Sequence, residues 1–320
     1  MANPNVGQRV AQAWDAYIAG KPEDTIHDDY GELRRREKSK KSFTGGGDDI
    51  LGAIEYKLNS TFAWINDTDT LDTTRIDVFD EYTYPWRQAA ITVVMSSFEE
   101  AINRGESKKF DLLAGKLENA RMSKRSNLNA AIFGTQSGKS ILGYGDLVAS
   151  SPSTGTVGGI NRANFSFWRN QQTSGAKASS AFDNLRSAMR TIHAACSKGQ
   201  GVKEPDYYVS TSTVVNGYES LLIANERVVS KEDSQADAGF KSTAFKFKQA
   251  PVYWDRDCGA DTMFALRKDD PQIVVQSGYW FKGYPAVDPA NQLLEVFKIE
   301  SILQLVVKNP RHLGVITSIS

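Results

Sequence analysis

Tyr56-Lys57-Leu58-Asn59-Ser60-Thr61-Phe62-Ala63-Trp64 is the stretch on which the fold turns. Tyr56, Leu58, Phe62 and Trp64 fall on one side of an extended chain, and Lys57, Asn59 and Thr61 on the other, because side chains alternate at every residue of a strand. A polar turn follows, Asn66-Asp67-Thr68-Asp69-Thr70. A second extended stretch then sets Tyr82, Tyr84 and Trp86 on a single face. Pro85 within it fits an edge or irregular position, since proline cannot donate to a ladder. The reading predicts a long two-stranded ribbon over residues 44–95. Such a ribbon is marginal by itself in water, and nothing adjacent in the chain covers its aromatic face. Tyr56, Phe62, Trp64, Tyr82, Tyr84 and Trp86 are therefore the candidate contact residues, with a neighbouring subunit as the expected cover.

On the C-terminal side the pattern turns helical. Phe110, Leu113, Leu117, Ala120, Leu128 and Ala131 recur at helical spacing, with Lys108, Lys116, Glu118 and Arg125 off that face. Gly105 divides a short helix starting near Ser97 from a long one over 106–131, which would run about 39 Å at 1.5 Å per residue. Residues 133–178 are rich in Gly, Ser, Thr and Asn and read as loops, with 134–159 as candidate flex points. A helix is predicted over 180–197, a strand over 206–210, a helix over 214–225 and strands around 245–254 and 272–281. The stretch 293–307, with Phe297, Ile299, Leu303, Leu305 and Val307 alternating against polar residues, reads as one long strand. Helices and strands that segregate in this way indicate an α+β protein.

On the N-terminal side, Val6, Val10, Trp14 and Ile18 form one helical stripe, closed by Gly20 and Lys21-Pro22. A charged run follows, with Arg34, Arg35, Arg36, Lys38, Lys40 and Lys41 against Glu32 and Glu37. Such a run reads either as a solvated linker or as a basic arm facing DNA or a scaffolding partner. Residues 1–43 hold too few large apolar side chains to fold alone and read as an arm that docks elsewhere.

Composition narrows the function. The 320 residues carry 38 Lys plus Arg and 38 Asp plus Glu, so no basic surplus exists for gripping phosphates. DNA is expected at most as a non-specific neighbour. The two cysteines, Cys196 and Cys258, make no disulfide framework. No apolar run of membrane-spanning length and no signal-peptide pattern occurs, so synthesis in a cytoplasm and no membrane partner are expected. Catalytic signatures fall short. Gly134-Thr135-Gln136-Ser137-Gly138-Lys139-Ser140 resembles a P-loop but has three residues between its glycines instead of four, and it follows a helix, not a strand. Asp67, Asp69 and Asp72 suggest a calcium loop, but Asp72 stands where glycine is needed and Val78 where glutamate is. His193 and Cys196 share a helical face, yet two ligands do not close a zinc site. The expectation is no catalytic residue, no metal and no cofactor.

Several segments resemble tailed-bacteriophage major capsid proteins of the Hong Kong 97-type fold. Gly155-Thr156-Val157-Gly158-Gly159-Ile160-Asn161-Arg162 followed by Phe167-Trp168-Arg169-Asn170 is similar to a glycine-rich link with an aromatic-arginine pair in one branch of that family. Residues 64–72 followed by Tyr84-Pro85-Trp86-Arg87-Gln88 resemble its extended loop returning to a long helix. Glu99-Glu100-Ala101-Ile102-Asn103-Arg104-Gly105 resembles the helix entry, and Asn309-Pro310-Arg311-His312-Leu313-Gly314 the closing turn. The resemblance runs from about residue 44 to the end. It implies an N-terminal arm (1–43), an extended β-hairpin loop (44–95), a peripheral domain with a long spine helix (96–179 and 286–320) and an axial domain (180–285). It also implies a structural shell protein, not an enzyme, that assembles with itself into pentamers and hexamers of an icosahedral head around phage DNA, located in the virion. Scaffolding, portal and decoration proteins are the further partners such a shell implies. An encapsulin-like nanocompartment shell of the same fold is the alternative.

Overall fold

The computed structural model describes residues 30–102, 112–174, 182–197, 203–225 and 246–319. The expected stripe over 5–19, the Gly105 break and the side chain of Phe110 lie outside the described residues. In chain order the elements are α1 (Gly31–Lys38), β1 (Lys41–Phe43), β2 (Asp49–Glu55), β3 (Phe79–Pro85), β4 (Arg87–Ser96), α2 (Ser97–Ile102), α3 (Leu112–Phe133) and α4 (Tyr144–Leu147). They continue with β5 (Thr156–Val157), β6 (Ile160–Asn161), β7 (Gln171–Ser174), α5 (Phe182–Cys196), β8 (Tyr207–Ser210), α6 (Ser212–Asn225), β9 (Lys246–Phe247) and β10 (Ala250–Trp254). The last are β11 (Met263–Leu266), β12 (Gln272–Gln276), β13 (Lys282–Val287), β14 (Leu294–Val306) and β15 (Gly314–Thr317).

The architecture is α+β, with two main sheets. In the first, β14 is the organising strand. β12 and β13 pair with successive parts of one edge, β4 pairs antiparallel along the other from Leu294↔Ser96 to Leu303↔Arg87, and β1 lies parallel outside β12. The long strand expected at 293–307 is therefore the spine of this sheet. The second sheet runs β7-β15-β11-β8-β10-β9. β8 and β11 are buried along their whole length and, Ser210 apart, are apolar or aromatic, as a strand covered on both faces tends to be. α5 supplies one cover, through Leu185, Met189 and Ile192.

The two sheets draw their strands from distant parts of the chain. β12 and most of β13 fall within 180–285 yet pair with β14, whereas β7 and β15 fall outside that range yet complete the other sheet. Strand partnership is set by long-range pairing, which local periodicity does not report. Gln171–Ser174, read as loop from its polar composition, is the parallel edge neighbour of β15, where half its residues face solvent.

α3 spans 22 residues, about 33 Å at the standard rise. Its C-terminal half is the buried half, with Lys124, Leu128, Asn129, Ile132 and Phe133 inside. The loops after it are held by backbone hydrogen bonds and close glycine contacts. Gly145 N donates to Gly134 O, and a Cβ on Gly143 would lie 2.1 Å from that same oxygen, so only glycine permits this close approach. Arg162, 1% exposed, donates to the Asp146 and Leu147 carbonyls at 2.8 and 2.6 Å.

The charged run at 32–41 is the largest correction. It is helix α1 for the most part, and Glu32 and Arg36 are buried to 0% and 1% exposure, not solvated; Arg34, Lys38, Lys40 and Lys41 keep the solvent side. The N-terminal amides of α1, unpaired within any helix, donate to side chains elsewhere: Glu32 N to Asp255 Oδ2 at 2.9 Å and Leu33 N to Asn129 Oδ1 at 2.9 Å. Arg36 Nε donates to Glu32 at 3.0 Å, and its Nη1 donates to Arg267 O at 2.8 Å and to Pro271 O. Tyr144 and Tyr207 hydroxyls both donate to Glu32 Oε1. The eight-residue helix α1 thus joins α3, α4, β8 and the segments next to β10, β11 and β12. Desolvation pushes the Glu32 carboxyl up, but Arg36, Tyr144, Tyr207 and Arg35 together outweigh it and hold the group below the usual carboxylate range.

Glu32→Gln strands the Arg36 charge in a dry site. The expected cost is about 3–5 kcal/mol, the usual penalty for breaking a buried pair from one side, read as a lower denaturant midpoint. Because the folded-state pKa of Glu32 is depressed, its contribution is present above pH 4.5 and lost as pH falls through the folded value. The variant should therefore lose less stability than the parent on acidification below pH 4.5. Equal acid sensitivity would contradict the assignment.

Candidate assembly surface

The ribbon forms, but in a different register from the sequence reading. Its paired strands are β2 and β3, matched from Asp49↔Pro85 to Glu55↔Phe79, not 56–64 with 82–86. Period-two alternation at 56–64 cannot say whether a stretch has a strand partner, and here residues 56–64 form no strand. Between the strands, residues 56–78 hold no strand pairing; Tyr56 N donates to Val78 O at 3.0 Å and closes the ribbon there.

The six candidate contact residues separate into three groups. Tyr84 is wholly buried and Tyr82 is 8% exposed, both inside their own chain. Tyr84 donates its hydroxyl to Val307 O at 3.2 Å, and its ring lies over Gly158, where a Cβ would meet it at 2.9 Å. Tyr82 crosses Gly52, which has no Cβ to obstruct it, and stacks on Trp168 at 5.9 Å. Trp168 in turn donates Nε1 to Val157 O at 2.8 Å. Burial pushes both tyrosine hydroxyls up from their ordinary pKa, so they stay protonated donors. Tyr82 and Tyr84 are therefore anchors of the ribbon base, corrected from contact residues. The β5–β6 hairpin, which carries the glycine-rich motif, is the platform beneath them. Trp86 is half-buried against Phe43 at 5.9 Å, and Tyr56 is half-buried against Phe167 at 5.5 Å.

Phe62 and Trp64 lie at the far end. Trp64 is 92% exposed, Leu58 87% and Phe62 76%, and Ile65, Leu71 and Phe79 are also exposed. Phe62 and Trp64 touch edge to face at 5.5 Å but touch no core. Isolated exposed apolar residues are ordinary; a contiguous set marks a surface meant to be covered. The aspartates that suggested a calcium loop cap turns instead: Asp69 accepts from Asn66 N at 2.8 Å and Asp72 from Thr74 N at 2.9 Å. Among the described residues, no group of three His, Cys, Asp or Glu side chains is placed to hold a metal ion, and no helix is long and apolar enough to cross a membrane.

The P-loop look-alike follows helix α3 directly, and three of its amides are spent on its own loop and on α4. Gln136 N donates to Asp146 Oδ2 at 2.6 Å, Ser137 N to Ser140 Oγ at 2.8 Å and Ser140 N to Ser137 O at 3.0 Å. His193 meets the Tyr208 hydroxyl at 3.1 Å and Glu204 at 3.6 Å, and Cys196 is buried and outside any disulfide.

One surface feature escaped the sequence reading. A groove of roughly 380 Å³ runs between β4 and α3, bordered by the loop at Lys139–Ile141. Five consecutive residues of β4, Arg87 to Ile91, line it. Since side chains alternate across a strand, a strand lining a groove with consecutive residues presents its edge. That edge of β4 has no strand partner among the described residues. No local pattern could have revealed the groove, because its two walls come from separate elements.

No family model matches the sequence, and no characterised protein matches it by sequence. The fold does match solved structures along its whole length. The chain is similar to a capsid subunit in the cyanophage A-1(L) asymmetric unit (TM-score 0.67, 14% identity, covering 100% of this chain and 97% of that one). It is also similar to the capsid of the native GTA particle (0.65, 11%, 94% and 95%) and to the holo-SrpI encapsulin complex of Synechococcus elongatus (0.57, 9%, 100% and 97%). The chain has the Hong Kong 97-type fold, the architecture of tailed-phage capsid shells.

Proposed function

We propose that this chain is a major capsid protein of a tailed bacteriophage, a structural subunit that assembles with itself into the icosahedral head enclosing the phage genome. The observation that carries the reading is the apolar loop at 56–78, held out on an anchored ribbon and uncovered by its own chain. Burying one large apolar side chain contributes about 1.5–3 kcal/mol, so covering Leu58, Phe62, Trp64 and Leu71 on a neighbour is a substantial drive to associate. Each subunit in a closed shell repeats such contacts, and modest pairwise affinities multiply. The whole-length likeness to phage capsid subunits supports the same reading. The β14 sheet with α3 corresponds to the peripheral part, and the β7–β15 sheet with α5 and α6 to the axial part around five-fold and six-fold centres. Its place is the virion, after synthesis in the host cytoplasm. It acts with no catalytic residue of its own, and its balanced charge suits packaged DNA as a neighbour and not as a held ligand. A scaffolding protein, a portal and decoration proteins are its further expected partners.

An encapsulin-like shell is the second reading, favoured by the likeness to the encapsulin complex at full coverage. Electron microscopy of the expressed protein should show closed particles. Genomic DNA in particles from infected cells supports the phage reading, and enclosed protein cargo the encapsulin one. A single compact monomer under all conditions would contradict both.

Phe62→Ala and Trp64→Ala should leave the subunit's unfolding midpoint within about 0.5 kcal/mol of the parent, as expected for exposed sites, while sharply lowering the yield of closed particles in gel filtration. Tyr84→Ala should instead cost about 3–5 kcal/mol of subunit stability, the range for emptying a large aromatic site. The reverse pattern would overturn the division of the aromatic set.

A further inference from the structure

The chain passes directly from one main sheet to the other at two places. Residues 267–271 lead from β11 to β12, and residues 307–313 lead from β14 to β15. Turning of one sheet against the other has to be absorbed in part by these short segments. One side chain stitches them together. Asp270, 5% exposed, accepts from Lys308 N at 3.1 Å on Oδ1 and from Asn309 N at 2.9 Å on Oδ2. Each oxygen holds one amide, so a single carboxylate joins the two crossovers.

The surroundings make that carboxylate sensitive to protons. The charged and titratable groups that face it are Arg36 of α1, Lys308 just past β14, and Tyr82 and Tyr84 of β3. Neither cation pairs with it directly. Arg36 engages Glu32 through Nε and the Arg267, Lys268 and Pro271 carbonyls through Nη1, and Lys308 Nζ donates to Gln272 Oε1 at 2.8 Å. A buried carboxylate held only by backbone amides keeps much of its desolvation cost. Burial accordingly pushes the Asp270 carboxyl up to about 6, against the two amides and the charges of Arg36 and Lys308. His312, on the second crossover, is pushed down from its ordinary range by burial, with its Nδ1 on the Cys196 carbonyl.

We propose that Asp270 is a proton-operated clasp on the joint between the two sheets. Ionised, it grips both amides and fixes the angle between the sheets. Protonated, one of its oxygens carries hydrogen and accepts poorly, so one amide is released and the sheets turn more freely. Bonds to an ionised acceptor are the stronger kind, so the remaining amide is also held less tightly. Stability runs the other way. Because the folded-state pKa is raised, the contribution of Asp270 is fully present below pH 3.8 and lost as pH rises through about 6. Acid therefore relieves the cost of the buried charge and loosens the joint together. In a shell each copy settles at the angle its neighbours impose, and the proton sets how readily it does so; that consequence, unlike the clasp, rests on the shell reading above.

Amide exchange in dissociated subunits tests the clasp. Protection at Lys308 and Asn309, corrected for the intrinsic pH dependence of exchange, should fall from pH 7 to pH 5, either side of the Asp270 value. The expected fall is roughly tenfold, which corresponds to about 1.4 kcal/mol, while amides inside β14 keep their protection. In Asp270→Asn both amides should sit at the low level at either pH. No step in the parent, or the same step in Asp270→Asn, overturns the proposal. If that variant does not fold, the carbon-13 shift of the parent's Asp270 carboxyl decides: a midpoint above pH 5 supports the clasp, and one below it overturns the clasp. Spin labels on Thr92→Cys in β4 and Gln172→Cys in β7, both exposed positions, read the angle between the sheets, with the native Cys196 and Cys258 buried away from the label. Their distance distribution should broaden from pH 7 to pH 5 in the otherwise unsubstituted chain. An unchanged width at the lower pH overturns the loosening of the joint.

Discussion

Residues 56–78 form an extended loop whose backbone has no strand partner and whose largest side chains stand in water. A folded chain ordinarily avoids this, because exposed apolar surface and unpaired extended backbone both invite association. Here the rest of the molecule is arranged to hold that loop out. β2 and β3 carry it, and Tyr82 and Tyr84 pin the ribbon base to the β5–β6 hairpin through two glycines that let the rings approach. A subunit so built is complete in its core and incomplete at its edge, which is the condition for assembly by repetition.

Rigidity at the base gives the exposed loop its meaning. The Glu32–Arg36 pair, closed by Tyr144 and Tyr207 and capped by Asn129 and Asp255, fastens α1 to elements from both sheets. Such a buried network costs desolvation, which its hydrogen bonds offset, although Arg36 Nη2 has no partner among the described residues. Its effect is to fix how the two sheets sit with respect to each other. Around it, Arg162 and Arg169 tie the glycine-rich loops by donating to backbone carbonyls.

Much of this was legible in the residues. The short helix at Ser97, the long helix, α5 and the thirteen-residue strand β14 all follow from local periodicity. What local pattern could not supply was partnership. Alternation at 56–64 looks the same whether a strand is paired or bare, so the ribbon register came out wrong. The aromatic residues at 82 and 84 look as available as those at 62 and 64; only the position of Gly158 and Trp168, some eighty residues on, makes them core. Glu32 and Arg36 read as solvated because a charge run usually is; their partners at 144, 207 and 255 lie too far along the chain for any spacing rule. The β4–α3 groove is invisible for the same reason.

Hydrogen–deuterium exchange across residues 56–78, compared between dissociated subunits and assembled particles, reads the central claim at the backbone itself. Fast exchange in the free subunit and marked protection in the particle are the expected result, with β2 and β3 protected in both. Equal protection of 56–78 in the two states would show that the loop is covered by its own chain, or never covered at all, and would contradict the account.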